Sequence, residues 1–133
     1  MIDQGDIAAV SDSLDRGFKN MLDDLGEQTV DAIERGFALG TDATGRPWAP
    51  LAPETIRKKG HDTILVDKGK LRQAFDHERR GMRLEVFGQD RTLKWHEHGT
   101  ENMPARPIMN PAGRYMTGRV DIAARRNIQG LVL

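Results

Sequence analysis

Three prolines within seven positions, Pro47, Pro50 and Pro53, constrain this chain more than any other feature. Each proline fixes its own φ, lacks a backbone donor, and disfavours helical geometry at the residue before it. The stretch 46–53 therefore cannot lie inside a helix. It holds Trp48 on a stiff, extended segment, and a large aromatic side chain held in this way usually anchors either the domain's own core or a partner surface.

The length of the chain, 133 residues, predicts one domain over residues 1–133 with a single core. Aromatic residues make up only 5% of the chain, so that core is small. We find no internal repeat and no linker. The pattern predicts an α+β fold, in which a long N-terminal helix packs on a small antiparallel sheet with short helices and a C-terminal helix.

A long amphipathic helix is predicted over about residues 11–37, ending at Gly40. Its apolar residues recur at helical intervals: Leu14, Phe18, Leu22, Leu25, Ile33 and Phe37. Its internal glycines each weaken it by roughly 1 kcal/mol relative to alanine. Because a small sheet cannot cover the whole helix, we expect part of it to pack on another subunit.

The remainder of the chain divides into two parts. Residues 40–75 form the proline-rich loop, with a turn at 42–45, followed by a basic segment in which Phe75 lies on a short helix. Residues 81–129 hold the strands and the C-terminal helix. The alternation over 81–88 predicts a strand, and Thr92–His96 is its predicted hairpin partner.

Several classes of function are disfavoured by what the sequence lacks. The absence of cysteine excludes disulfides, thiolate catalysis and cysteine-ligated zinc. There is no nucleophile elbow and no phosphate-cradling glycine loop. We expect no enzymatic activity, no catalytic residue and no cofactor. The sequence has no apolar run of about 20 residues, so we expect a soluble, intracellular protein without a membrane segment.

Two motifs leave other functions open. In a strand, His96 and His98 would share one face and could ligate a metal ion for a small hydrolase, but two ligands are too few for a closed site, so we expect no metal. The stretch 57–72 is basic and could contact nucleic acid, although it lacks aromatic side chains for base stacking. Its basic residues are Arg57, Lys58, Lys59, His61, Lys68, Lys70 and Arg72.

The net charge of zero is unevenly distributed: residues 1–40 carry nine acids and three bases, and residues 41–133 carry eleven acids and seventeen bases. Such a chain can meet copies of itself head to tail, or its two ends can neutralise each other within one fold. Arg106, between Pro104 and Pro107, is held in a stiff loop and could pair with a carboxylate within the chain or across a subunit interface.

The order of these motifs resembles the virion morphogenesis or tail-completion proteins of tailed bacteriophages, including the Mu-like prophage members. The resemblance spans about residues 37–110. Its most specific elements are Gly45-Arg46-Pro47-Trp48-Ala49-Pro50-Leu51 and Pro104-Ala105-Arg106-Pro107, with Ile64-Leu65, Gly69-Lys70-Leu71 and His96-x-His98-Gly99 between them.

This resemblance implies a structural, non-enzymatic protein that oligomerises as a ring at the head–tail junction or tail end. It would contact tail tube, tail terminator and head-connector proteins, in the host cytoplasm during assembly and then in the neck or tail of the virion. Trp48, Arg106 and Trp95 are the candidate interface residues. Lys58, Lys59 and Lys70 are candidates for nonspecific contact with genome DNA in the channel of the ring.

Overall fold

The computed structural model describes residues 4–51 and 74–128. Within these ranges the chain forms three helices and an antiparallel pair of strands, which confirms the α+β class. In chain order the elements are α1 (Gln4–Leu39), β1 (Phe75–Arg80), β2 (Arg83–Gly88), α2 (Leu93–His98) and α3 (Met109–Ile128).

Helix α1 packs against α3 and against both strands. It begins at Gln4, well before the predicted start near residue 11, and it ends at Leu39, where Gly40 takes a positive φ of 71°. Helices α1 and α3 run antiparallel, because Gly17 lies beside the C-terminal end of α3 while Phe37 packs on Ile108 at its other end.

The core consists of two clusters along α1. The larger one is aromatic: the Phe37 ring meets Trp48 edge to face with centroids 5.5 Å apart, and Phe75 lies 5.8 Å from Phe37. The smaller one joins Met21 and Leu25 of α1 to Ala123 of α3. Burying each large apolar side chain contributes roughly 1.5–3 kcal/mol.

The hairpin differs from the prediction. Residues 83–88 do form a strand, but their partner is β1, in which Phe75 lies opposite Gly88. The predicted strand Thr92–His96 is wrong. Phe75 begins strand β1 instead of lying on a short helix, and the rest of that predicted helix lies outside the described residues. Asp90 ends the hairpin by accepting hydrogen bonds from the Thr92 amide at 2.7 Å and from its hydroxyl at 2.6 Å, so the chain turns directly into α2.

Strand β1 was not predicted because two of its three inward-facing residues are polar. His77 and Arg79 alternate with Phe75 on the side that faces α1. His77 lies over Gly26, where an added Cβ would come within 2.6 Å of the His77 Nδ1 atom. Arg79 donates from Nε to Asp23 of α1 at 2.8 Å. Because polar side chains occupy two of its three inward positions, the strand lacks the apolar alternation by which strands are predicted.

The buried glycines of α1 permit close packing. At Gly36, an added Cβ would clash with the backbone carbonyl oxygen of Thr41 and lie 3.2 Å from that of Asp42. We therefore expect Gly36→Ala to lower the free energy of unfolding by about 1–3 kcal/mol, despite the better helix propensity of alanine. Urea denaturation measures this. As a control, Gly113→Ala on α3, where the Cβ position is open, should leave stability unchanged or raise it; equal effects would contradict the packing argument.

Candidate functional site

The proline-rich stretch and the second proline loop lie directly against each other. The Trp48 Nε1 atom donates to the Pro107 carbonyl at 2.9 Å. In the opposite direction, Arg106 donates from Nε to the Ala49 carbonyl at 2.8 Å and from Nη2 to the Pro50 carbonyl at 3.1 Å. We call this contact between residues 46–50 and 104–107 the loop junction. It joins the two most specific sequence motifs of the chain.

Trp48 belongs to the core of the protomer. Its side chain is only 7% exposed, and its ring packs on Phe37 while its single polar atom is bonded to Pro107. The sequence left open whether this tryptophan anchors the core or a partner surface. The structure places it in the core, where it holds the loop junction onto the C-terminal end of α1.

Arg106 is also internal, and its partners differ from those predicted. It is 6% exposed, and among the described residues its guanidinium donates to backbone carbonyls rather than to a carboxylate. The carbonyl groups of Ala49 and Pro50 lie in an extended segment outside any helix or strand, and Arg106 supplies the donors that they bond. Desolvation on burial lowers the pKa of Arg106 from its usual value.

Glu97 is a structural residue that the sequence analysis missed. Its carboxylate accepts hydrogen bonds from the first amides of α3: Ile108 at 2.8 Å, Met109 at 2.7 Å and Asn110 at 3.0 Å. An acidic group at this position satisfies amides that have no partner within the helix and complements the positive end of its dipole. The only sequence signal is an acidic residue twelve positions before the first residue of the helix, which local capping rules do not cover.

The two histidines do not form the face that a metal site would need. Because residues 93–98 are helical, His96 and His98 project about 200° apart around α2 instead of sharing a strand face. In the described ranges, no group of three or more histidine, cysteine, aspartate or glutamate side chains is placed to hold a metal ion. The alternative of a metal-dependent hydrolase depended on His96 and His98 sharing one face of a strand, and that prediction is wrong.

Of the three candidate interface residues, Trp95 is the exposed one. Its side chain is 47% exposed on α2, with the Lys94 Nζ atom 5.7 Å from the ring centroid. A role for Trp95 in contacts between chains stays a prediction. The candidates for contact with DNA, Lys58, Lys59 and Lys70, lie outside the described residues, as does the rest of the 57–72 stretch.

Helix α1 projects beyond the helix that covers it. Helix α3 ends beside Gly17, where an added Cβ would lie 3.4 Å from Ile128. Residues 4–16, which we call the α1 extension, continue for roughly 20 Å past that point. Ile7 is 59% exposed and Leu14 is 38% exposed. Among the helices of the described residues, none is long and apolar enough to cross a membrane.

Comparison with known protein families gives a match to the model of the phage virion morphogenesis family over residues 6–131. The matched range includes both sides of the loop junction, the cap provided by Glu97 and most of the α1 extension. Searches of curated proteins and of solved structures give no match.

Proposed function

This chain belongs to the phage virion morphogenesis family, and we propose that it is the subunit of an oligomeric ring that completes the tail and joins it to the head. The family places the chain among proteins that build a phage particle. The ring, its position at the head–tail junction or tail end, and its contacts with tail and connector proteins are the parts that we propose.

The α1 extension is the observation that carries the proposal. A protomer that acted alone would leave Ile7 and Leu14 in water at the end of a long helix. Exposed apolar side chains grouped on one helix face are typical of a surface that another chain covers. An assembling subunit accounts for this group, because part of such a long helix is expected to pack on another copy.

The loop junction supports a structural role in a second way. The side chains of Trp48, Arg106 and Glu97 each bond within the chain, and together they fix two proline-rich loops and the start of α3. These bonds all run between a side chain and backbone groups of the same chain. This arrangement stiffens the protomer. A subunit that joins two larger assemblies must keep its shape, so a stiff protomer fits the proposed role.

Deleting the gene from the phage or prophage that carries it tests the proposal. Electron microscopy of the lysate should show filled heads and finished tails that accumulate separately, and expression of the chain from a plasmid should restore joined particles. Mass spectrometry of purified wild-type virions should detect the chain. A deletion lysate with the normal number of joined particles would contradict the proposed role.

A further inference from the structure

We propose that the α1 extension of one copy packs on the outer face of α3 in the next copy, so that the protomers join head to tail. This proposal deepens the proposed function and rests on the chain being an assembling subunit. It names the partner as a second copy of this chain and assigns the two surfaces that meet.

The first surface continues an interface that already exists inside the protomer. Gly17, Met21 and Gln28 face α3: Gly17 lies beside Ile128, Met21 clusters with Ala123, and Gln28 accepts from Arg119 at 3.1 Å. The same alternating spacing of three and four residues continues toward the N-terminus as Leu14, Val10 and Ile7. One side of α1 is thus a single stripe, which α3 of the same chain covers only as far as Gly17.

The second surface, which we call the outer face of α3, is an exposed side of that helix. Gly118 and Ile122 are its exposed residues, and the half-buried Tyr115 borders it, with the Arg119 guanidinium 5.9 Å from the centroid of its ring. Ile122 is 38% exposed, and nothing lies within 4 Å of the Cβ position at Gly118. The lack of a side chain at Gly118 lets a second helix approach closely between two apolar residues.

The charges carried by the two surfaces indicate which contact between copies is favoured. The α1 extension carries three aspartates and one arginine. Of the four arginines of α3, Arg119 and Arg126 contact Gln28 and Asp24 of α1 in the same protomer, and Arg125 pairs with Asp121, so Arg114 leaves the rest of α3 with an excess of positive charge. Packing two α1 extensions on each other would bring like charges together, whereas packing an extension on α3 brings opposite charges together. The favoured contact uses two different surfaces, and such contacts form closed rings when the rotation between copies permits.

Complementary variants test the contact by native mass spectrometry at about 100 µM protein. Ile7→Ser with Leu14→Ser removes the apolar side chains of the first surface, and Ile122→Glu places an acid in the second. We expect the wild-type chain to form oligomers and each variant alone to be monomeric. When the two variants are mixed, one intact surface of each kind remains, so a 1:1 dimer that grows no further should appear.

Matched controls separate this contact from general surface effects. Leu39→Ser and Val120→Ser remove apolar side chains of comparable or greater exposure elsewhere on α1 and on another side of α3, and both should assemble like the wild type. Circular dichroism melting should be similar for all variants because each substituted side chain is more than a third exposed. Normal assembly of Ile122→Glu, or a mixture that stays monomeric, would overturn the proposal.

Disulfide trapping detects the contact without weakening it. Because the chain has no cysteine of its own, every disulfide must form between introduced residues. The double variant Val10→Cys with Gly118→Cys should give a ladder of covalent oligomers on oxidation. Val10→Cys alone should give none; strong dimers from this single variant would show extension-to-extension pairing and overturn the proposal. A monomeric wild-type chain, together with a double-cysteine variant that gives no ladder, would also overturn it, while the deletion phenotype would still decide the proposed role in the virion.

Discussion

Trp48→Ala should lower the free energy of unfolding by about 3–5 kcal/mol, the largest effect that we expect from any single substitution. The change removes a ring that is 7% exposed and packed on Phe37, and it leaves the Pro107 carbonyl without its donor. Since an effect of this size approaches the whole stability of many small domains, the melting temperature should fall by more than about 10 °C. Thermal melting followed by circular dichroism measures it.

Two substitutions divide this effect into its parts. Trp48→Phe keeps an aromatic ring in the cluster but loses the hydrogen bond to Pro107, so it should cost only about 1–2 kcal/mol. Trp95→Ala removes the other tryptophan, which is 47% exposed, and should change stability by less than about 1 kcal/mol. If Trp48→Ala melted like Trp95→Ala, the loop junction would not be part of the core.

Glu97→Ala should be the second most damaging change, at about 2–3 kcal/mol. It would leave three amides at the start of α3 without the carboxylate that accepts their hydrogen bonds at 2.7–3.0 Å. Urea denaturation followed by circular dichroism measures the loss. Protection of the first amides of α3 against hydrogen exchange should fall as well, because that end of the helix would fray.

The controls for Glu97 use residues of similar chemistry. Glu97→Gln keeps a carbonyl oxygen for the amides of Ile108 and Met109 but removes the charge, so it should cost about half as much as the alanine variant. Glu101→Ala, in the exposed loop after α2, should stay within about 0.5 kcal/mol of the wild type. A Glu97→Ala variant as stable as Glu101→Ala would rule out the cap.

The features that the sequence predicted well are those with a local signal. The spacing of Leu25, Ile33 and Phe37 predicts α1, and the prolines around Trp48 predict an extended segment. The turn before that segment formed as predicted: Asp42 Oδ1 accepts from the Thr44 amide at 2.8 Å, and Gly45 takes a φ of 88°. Each of these features depends on residues within a few positions of one another.

The features that were missed depend on partners far away in the chain. Strand β1 carries an inward arginine whose partner, Asp23, lies 56 residues before it, so the strand has no apolar alternation. The cap on α3 is supplied by Glu97 from another helix. For Trp48 the sequence indicated an anchor, but whether it anchors the core or a partner depends on where Pro107 and Phe37 lie in space.

The loop junction also gives a physical meaning to the motifs by which the chain resembles its family. The two most specific motifs, around Trp48 and Arg106, are the two sides of one internal contact, and Glu97, within the intervening histidine motif, fixes the helix that follows. These motifs therefore specify a rigid protomer. On our proposal the surfaces that join protomers lie elsewhere, on the α1 extension and the outer face of α3.

Restoring infectivity with purified protein tests the central claim most directly. A lysate from the deletion phage is mixed with the purified chain, and infectious particles are counted. If the chain is the subunit that joins finished tails to filled heads, the wild-type protein and the Leu39→Ser control should raise the titre by orders of magnitude, whereas the Ile7→Ser, Leu14→Ser variant should not. A deletion lysate that is fully infectious without added protein would contradict the account.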